Sequence, residues 1–190
     1  MSTLLEPTPA PAAPVRPPRN YLNASYTVKS WLLTVDHKRI AILYLLGVTL
    51  FFFLGGAAAV VFRLELMTPH ADLVESETYN KLFTLHGVVM IFFFLIPSIP
   101  ATMGNFLLPI MIGAKDVAFP RLNAMSLWVF ILGGLFMNFS FLMNAAPNGG
   151  WFGYAPLSSR QYSPGLNMDF WVIGLQILGV ASLAAAFNFI

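Results

Sequence analysis

A single histidine inside a long apolar run is the residue of this chain with the clearest chemical potential. His86 lies in the stretch Tyr79–Arg121, which carries no charge from Gly87 to Ala114. An ionisable side chain in hydrocarbon is costly, so it marks a functional site by default and needs a partner. Imidazole is a common metal ligand. The 190 residues contain no cysteine, which excludes thiolate and iron–sulfur sites in this chain.

Residues that suit a large planar anionic cofactor collect near the start of this run. At about 1.5 Å per residue, His86 lies about 8 Å below the beginning of the helix. Arg63 ends the preceding apolar run, and Tyr79 and Trp151 belong to the same end. Imidazole could hold iron, guanidinium an oxygen substituent, and aromatic OH or NH groups propionates. The alternative is a histidine bonded to a neighbouring helix, with Arg63 at the headgroups and the aromatic residues in an interfacial belt.

A second group of polar residues lies near the opposite end of the apolar spans, and we call it the second polar level. Asn105 lies about 28 Å deeper than His86 along the helix axis. A carboxylate at the mouth could collect protons, and amides and hydroxyls behind it could order a water chain. Ordinary interhelical hydrogen bonds, worth about 0.6 kcal/mol each, are the alternative. The residues of this level are Asn105, Asp116, Asn123, Ser126, Ser182 and Asn188.

Composition places these residues in a membrane protein. The chain is 57% hydrophobic and 9% charged, with a mean hydropathy of +0.72, whereas soluble domains carry about 25% charged residues. Apolar runs of about 20 residues span a bilayer as helices. We expect an all-α, polytopic transmembrane helix bundle, with kinks at the prolines of span two. The four spans are Ile40–Phe62, a second that begins near Asn80, Leu122–Met143 and Asp169–Ile190.

The remaining segments define the domain organisation. Residues 1–20 are Pro-rich and predict a disordered tail. Residues 21–36 mix aromatic and basic side chains and predict an interfacial segment. Residues 37–190 form the transmembrane part. Because the chain stops inside span four without flanking charges, we expect it to be the truncated N-terminal part of a longer domain.

Lysine and arginine bias predicts the orientation in the membrane. Most of these residues lie in the N-terminal segment or between spans two and three, so the N-terminus is expected to be cytoplasmic. The net charge of +2 is small and gives no reason to expect nucleic acid as a partner. The uneven placement of the charges is informative about topology only. The tail lacks transit-peptide character and favours a bacterial plasma membrane. The basic residues on the cytoplasmic side are Arg16, Arg19, Lys29, Lys38, Arg39, Lys115 and Arg121.

Several motifs in one order resemble heme-copper oxidase subunit I. The resemblance covers about residues 31–190 and implies the first four spans of a twelve-helix subunit. The matching stretches are residues 35–39 (VDHKR), 84–93 (TLHGVVMIFF), 104–109 (GNFLLP), 112–123 (IGAKDVAFPRLN), 150–157 (GWFGYAPL) and 187–190 (FNFI).

The resemblance implies roles at the outer end. His86 matches an axial ligand of a low-spin heme, and Arg63 matches an arginine bonded to a substituent of that heme. Tyr79 and Trp151 match residues near the heme propionates. Glu65 matches a carboxylate of a calcium or sodium site, with His70 where a backbone carbonyl often contributes.

The resemblance also implies a proton path at the inner end. Asp116 matches the entrance of the D-pathway, and Ser182 lies further in. Three asparagines match its gate, while Ala181 and Ala124 stand where a serine and a second asparagine are frequent. Ser126 belongs to the same polar level. The gate residues are Asn105, Asn123 and Asn188.

The family's remaining cofactor ligands are expected outside these residues. They comprise the second axial histidine of the low-spin heme and the ligands of the high-spin heme and copper B. The resemblance implies electron transfer from cytochrome c to O2 with proton pumping, in which the fragment alone is inactive. The implied partners are the remaining helices of subunit I, subunits II and III, cytochrome c and the lipid bilayer.

The electron donor is predicted from four positions. Quinol-oxidising relatives place an arginine, an aspartate, a histidine and a glutamine where this chain has Leu54, Ala58, Thr78 and Lys81. We therefore favour cytochrome c over quinol. Two other classes stay open, a four-span scaffold without cofactor and a bis-histidine cytochrome b, although the latter needs histidine pairs on facing spans.

Overall fold

The computed structural model describes residues 20–70 and 72–189, and these residues form helices and loops without a strand. The predicted tail, residues 1–20, lies outside this range except for Asn20. Four helices are long and apolar enough to cross a membrane, so the all-α transmembrane fold is confirmed. The helices are α1 (Val28–Leu32), α2 (His37–Glu65), α3 (Ser76–Met111), α4 (Pro120–Leu142) and α5 (Asn167–Ala186).

The helix boundaries follow from local chemistry. The Asp36 carboxylate caps α2 by accepting from the backbone N–H groups of Lys38 and Arg39, both at 3.0 Å. Pro120 starts α4, where its missing N–H costs no helical hydrogen bond. Helix α2 therefore begins before the apolar run that predicts span one, and it includes the charged residues at the ends of the run.

Helix α3 adjusts to its prolines by widening. Two stretches of π-helical turns, Val89–Leu95 and Ser98–Gly104, lie before and after Pro97. Proline removes one backbone donor and crowds the preceding turn, and a wider turn relieves both effects. The Ser98 hydroxyl donates to the Phe94 carbonyl within this region. Span two is thus one continuous helix with wide turns around Pro97, and the kinks expected at its prolines stay a prediction.

The core lies where α2, α3 and α4 meet. The Phe51 ring is 5.3 Å from Phe93 and 5.5 Å from Phe130, measured between centroids. Many other large apolar side chains point outward, as expected for helices that face lipid or further helices. Glu65, Ser76 and Asn167 lie at one end of the bundle, called the Glu65 end below. The opposite end, at the start of α2, is called the His37 end.

Arg39 ties the N-terminal segment to the His37 end. Its guanidinium donates to the Tyr21 carbonyl at 2.6 Å, the Ser30 hydroxyl at 2.9 Å and the Ser25 carbonyl at 3.0 Å. It also lies 4.8 Å from the Trp31 ring. The segment 21–36 is therefore held against the start of α2. Its predicted place at the headgroups is consistent with this position and stays a prediction.

A glycine in α4 gives the first test of the packing. A Cβ added at Gly134 would overlap the Phe51 ring, whereas one added at Gly179 has no atom within 4 Å. Gly134→Ala is expected to destabilise the complete subunit by about 1–3 kcal/mol through overpacking. Gly179→Ala is expected to be neutral. Thermal unfolding in detergent measures both, and equal melting temperatures for the two variants would contradict the packing at Phe51.

Candidate functional site

His86 presents one ring nitrogen as a free ligand atom. Its Nδ1 donates to the Gly55 carbonyl at 2.9 Å, which fixes the ring and its tautomer. Among residues 20–70 and 72–189, the hydrogen bond of the His86 ring is made by Nδ1, and Nε2 makes none. The Phe62 ring packs edge-on against the imidazole, 5.4 Å between centroids. A half-buried imidazole oriented in this way can bind a metal through Nε2.

Gly55 makes the hydrogen bond to His86 possible by allowing close helix contact. A Cβ at Gly55 would lie 2.9 Å from the Met90 sulfur and 3.3 Å from a Val89 methyl group. The neighbouring Gly56 has nothing within 4 Å of an added Cβ. The close contact between α2 and α3 therefore depends on Gly55 and not on Gly56.

Phe62 connects the predicted residues at the Glu65 end. Its ring lies 6.0 Å from Tyr79 and 5.4 Å from His86. Arg63 follows it in the chain, and its side chain is exposed at the same end. The structure brings His86 and Tyr79 together through Phe62 and leaves Arg63 without direct contact to the imidazole. Phe62 was not predicted, because one aromatic residue in an apolar span gives no signal.

Trp151, in the loop between α4 and α5, packs against α3 at Gly87, the residue after His86. A Cβ at Gly87, the next residue, would be 2.9 Å from the Trp151 Cβ and Cδ1 atoms. The indole also lies 6.2 Å from the Phe92 ring. The loop between α4 and α5 thus contacts the helix that carries the histidine, while the predicted role of Trp151 near a cofactor stays a prediction.

The Glu65 carboxylate accepts hydrogen bonds from the backbone of the loop that follows α2. Its Oε2 accepts from the backbone N–H groups of Leu73 and Val74, both at 2.9 Å. It lines a small cavity together with His70, whose carbonyl accepts from the Thr68 hydroxyl at 2.9 Å. In the described part of the chain, no group of three or more His, Cys, Asp or Glu side chains could hold a metal. The calcium or sodium site stays a prediction.

Asp116 at the His37 end pairs with a histidine. The His37 Nδ1 lies 3.0 Å from Asp116 Oδ1, which also accepts from the Val117 N–H at 2.8 Å. The carboxylate side chain is 36% exposed, whereas His37 is buried and its Nε2 has no partner. A water-accessible carboxylate with a buried imidazole behind it can exchange protons. His37 was not predicted for this site, although it belongs to the VDHKR motif.

Two predicted asparagines are buried with unpaired polar atoms. Asn105 and Asn123 are both 0% exposed. Asn105 donates to the Ala101 carbonyl at 2.7 Å. In the described part of the chain, Asn105 Oδ1 has no hydrogen-bond partner, and neither do Oδ1 and Nδ2 of Asn123. Buried amides are costly when unpaired, and internal waters commonly satisfy them. We therefore expect internal water at these two side chains.

Asn188 differs from the other two asparagines. Its Oδ1 accepts from the Phe119 N–H at 2.7 Å, and its Nδ2 donates to the Ala184 carbonyl at 3.0 Å. It therefore ties the end of α5 to the start of α4. Among the described residues, no recorded hydrogen bond joins Asn188 to Asn105 or Asn123, so the three predicted gate residues are not linked directly.

Ser126 connects this region to a deeper cavity through a tyrosine. Its hydroxyl donates to the Asn123 carbonyl at 2.7 Å, so the Tyr44 OH, 2.8 Å away, donates to Ser126. Tyr44 and Ser182 line a cavity of about 350 Å³ next to the wide turns of α3. Tyr44 was missed in the sequence, where its hydroxyl within an otherwise apolar stretch of span one was the available signal.

The sequence is similar to those of known proteins. A family model described as "Cytochrome C and Quinol oxidase polypeptide I" matches residues 39–190. The chain belongs to this family. It is 46% identical over 149 residues to cytochrome c oxidase subunit 1 of Alkalihalophilus pseudofirmus, covering 78% of this chain and 24% of that protein. It is 40% identical over 159 residues to quinol oxidase subunit 1 of Bacillus subtilis, covering 84% and 24%.

Membership of this oxidase family has direct consequences. The chain spans about a quarter of the length of the curated relatives it matches. Membership of the family indicates that the chain is part of an oxidoreductase of a bacterial membrane. It argues against the two alternatives, a scaffold without cofactor and a cytochrome b. It implies heme and copper as cofactors. The His86 side chain fits a heme ligand. Its Nδ1 donates to the Gly55 carbonyl, and its Nε2 has no hydrogen-bond partner among the described residues.

Proposed function

We propose that the chain is the N-terminal part of the catalytic subunit of a proton-pumping terminal oxidase that transfers electrons from cytochrome c to O2. One arrangement carries this proposal. A fixed imidazole with a free Nε2 lies at the Glu65 end, and a water-accessible carboxylate with buried, unpaired amides behind it lies at the His37 end. Electron transfer and proton uptake thus have separate sites in one bundle.

The residues at the Glu65 end would hold the low-spin heme. His86 supplies one axial ligand, and the Gly55 carbonyl keeps the imidazole oriented and basic. Arg63 supplies a positive charge for an oxygen substituent, and Tyr79 and Trp151 supply OH and NH donors for propionates. A bound heme supplies reversible one-electron transfer there. The second axial ligand, the high-spin heme and copper B belong to helices outside this chain.

The residues at the His37 end would take up protons. Asp116 accepts a proton from water, and His37 holds its Oδ1 in place through the 3.0 Å contact. Water held by Asn105 and Asn123 relays the proton onward. Ser126, Tyr44 and the cavity lined by Ser182 continue the path toward the middle of the bundle, while Asn188 fixes the helix ends around it. Asn105 and Asn123 can therefore act in this path without contacting Asn188.

The charge distribution supports an orientation. The N-terminal segment and the loop between α3 and α4 carry most of the basic residues, so the His37 end is cytoplasmic and the Glu65 end faces outward. Residues 21–36 then lie at the cytoplasmic headgroups of a bacterial plasma membrane. Asp116 faces the cytoplasm. Subunits II and III and the remaining helices of subunit I would complete the complex.

The donor proposal has support from an apolar groove between α2, α3 and α4. It measures about 840 Å³ and is lined by Leu54, Ala58 and other apolar residues, with Asn138 as its polar side chain. Lys81 does not line the groove, because its Nζ is 2.6 Å from Glu77 and 2.9 Å from Asn144 Oδ1. A quinol needs hydrogen-bond partners that this surface supplies poorly, which favours cytochrome c.

Quinol remains the second candidate, since a relative that is 40% identical carries the name quinol oxidase subunit 1. The test is oxygen consumption by the purified complex with either reduced cytochrome c or ubiquinol as donor. We expect turnover with cytochrome c to exceed turnover with ubiquinol by at least about tenfold, equivalent to about 1.4 kcal/mol in transition-state stabilisation. The reverse preference would assign the quinol-oxidising function instead.

A further inference from the structure

The loop between α4 and α5 is tied to α3 at three successive points. The Lys81 ammonium donates to Asn144 Oδ1 at 2.9 Å. The Gly150 N–H donates to the Thr84 hydroxyl oxygen at 3.0 Å. Trp151 then packs against Gly87, where an added Cβ would come within 2.9 Å of the indole side chain. These contacts follow α3 over less than two turns, and the last two flank His86.

Thr84 makes the hydrogen bond closest to Trp151. The threonine is 1% exposed, so its hydroxyl is isolated from solvent. Gly150 has φ +84°, a left-handed conformation that glycine adopts without strain. This conformation aims the Gly150 N–H at α3, and the Thr84 oxygen is its acceptor. The residue that follows, Trp151, is thereby placed on the surface of α3 at Gly87, the residue after His86.

The other side of the loop is held independently of Thr84. A Cβ at Gly153 would lie 3.0 Å from the Trp171 ring of α5. Lys81 is anchored by Glu77 as well as by Asn144, so that tie does not depend on Thr84. Loss of the Thr84 hydroxyl would therefore release the segment around Trp151 while the two flanking contacts persist.

We propose that Thr84 is a positioning residue that sets the place of Trp151 relative to the group bound at His86. This rests on the proposed function, in which His86 holds a heme and Trp151 lies near its propionates. Thr84 touches neither the reacting atoms nor the heme ligand. It acts through the Gly150 N–H, and its effect on the redox potential passes through the indole.

The test uses the complete oxidase complex and a redox titration of the low-spin heme absorption band. Thr84→Val keeps the shape of the side chain but removes the acceptor, and Thr84→Ser keeps the acceptor. We expect Thr84→Val to shift the midpoint potential in the same direction as Trp151→Phe, and Thr84→Ser to leave it at the wild-type value. Thr49→Val is the matched control, because the exposed Thr49 hydroxyl bonds only to the Leu45 carbonyl of its own helix.

The double variant separates positioning from a general structural effect. If Thr84 acts through Trp151, Thr84→Val combined with Trp151→Phe has the midpoint potential of Trp151→Phe alone, because the two changes remove one interaction. Additive shifts would overturn the proposal, as would an unshifted Thr84→Val. Should Thr84→Val fail to assemble, Thr84→Cys, a weak acceptor, is expected to give a smaller shift in the same direction, and no shift in Thr84→Cys would overturn the proposal.

The same titration distinguishes this proposal from the proposed function. A wild-type complex without a low-spin heme band, or a band retained after His86→Ala, would refute the heme assignment itself. A normal wild-type band that His86→Ala removes, together with an unshifted potential in Thr84→Val, would refute only the role of Thr84.

Discussion

Replacing His86 by alanine in the complete subunit is expected to abolish the low-spin heme spectrum. The structure fixes this imidazole through the Gly55 carbonyl at 2.9 Å, and no residue within 20–70 and 72–189 forms a hydrogen bond with Nε2. Alanine offers no ligand atom, and the methyl group leaves the Gly55 carbonyl without its donor. Reduced-minus-oxidised absorption spectra and pyridine hemochrome analysis measure the loss.

A matched control for this variant lies in the loop after α2. His70 is exposed and outside the spans, so His70→Ala is expected to retain the full low-spin heme spectrum. An unchanged spectrum in His86→Ala would refute the ligand assignment. Loss of the spectrum in both variants would point to failed assembly in place of a missing ligand.

Replacing Asp116 by asparagine is expected to slow turnover and proton uptake on the order of 100-fold, the usual scale for losing a proton-transfer group. The amide keeps an oxygen that can accept from His37 Nδ1 and the Val117 N–H, which Asp116 Oδ1 now bonds at 3.0 and 2.8 Å. The local geometry should therefore survive while the titratable charge is lost. Oxygen consumption and dye-detected proton uptake in reconstituted vesicles measure the two effects.

The control for Asp116 is an acid at the other end of the bundle. Asp72 is exposed in the loop between α2 and α3, so Asp72→Asn is expected to leave proton uptake unchanged. Normal proton uptake from the His37 side in Asp116→Asn would contradict the entrance role. A loss of heme in that variant would instead indicate that Asp116 is needed for folding.

The number and approximate bounds of the spans could be predicted from the sequence. Span one was predicted as Ile40–Phe62 and is observed as His37–Glu65, while span three was predicted as Leu122–Met143 and is observed as Pro120–Leu142. Run length and charge are properties of the chain alone, and a bilayer converts them into helices. The wide turns of α3 were not predicted, since only kinks were expected at its prolines, and the form of such a distortion depends on the neighbouring helices.

The key residues of the candidate site could also be predicted from the sequence, whereas their hydrogen-bond partners could not. His86 and Asp116 stood out as an imidazole in hydrocarbon and a carboxylate in a short turn. Their partners did not, since Gly55 lies 31 residues from His86, and His37 lies 79 residues from Asp116. The family resemblance supplied roles for single residues, but it did not supply these contacts.

The sequence by itself determined that this protein is a transmembrane helix bundle of the oxidase subunit I family, with His86 and Asp116 near opposite ends. The tertiary structure decided which side chains meet them. Tyr44 and Ser126, 82 residues apart, share a hydrogen bond, and Thr84 and Gly150 do so over 66 residues. The physical reason is that these helices are apolar nearly all round, so hydrophobic periodicity does not fix their rotation, which only close packing at residues such as Gly55 and Gly134 sets.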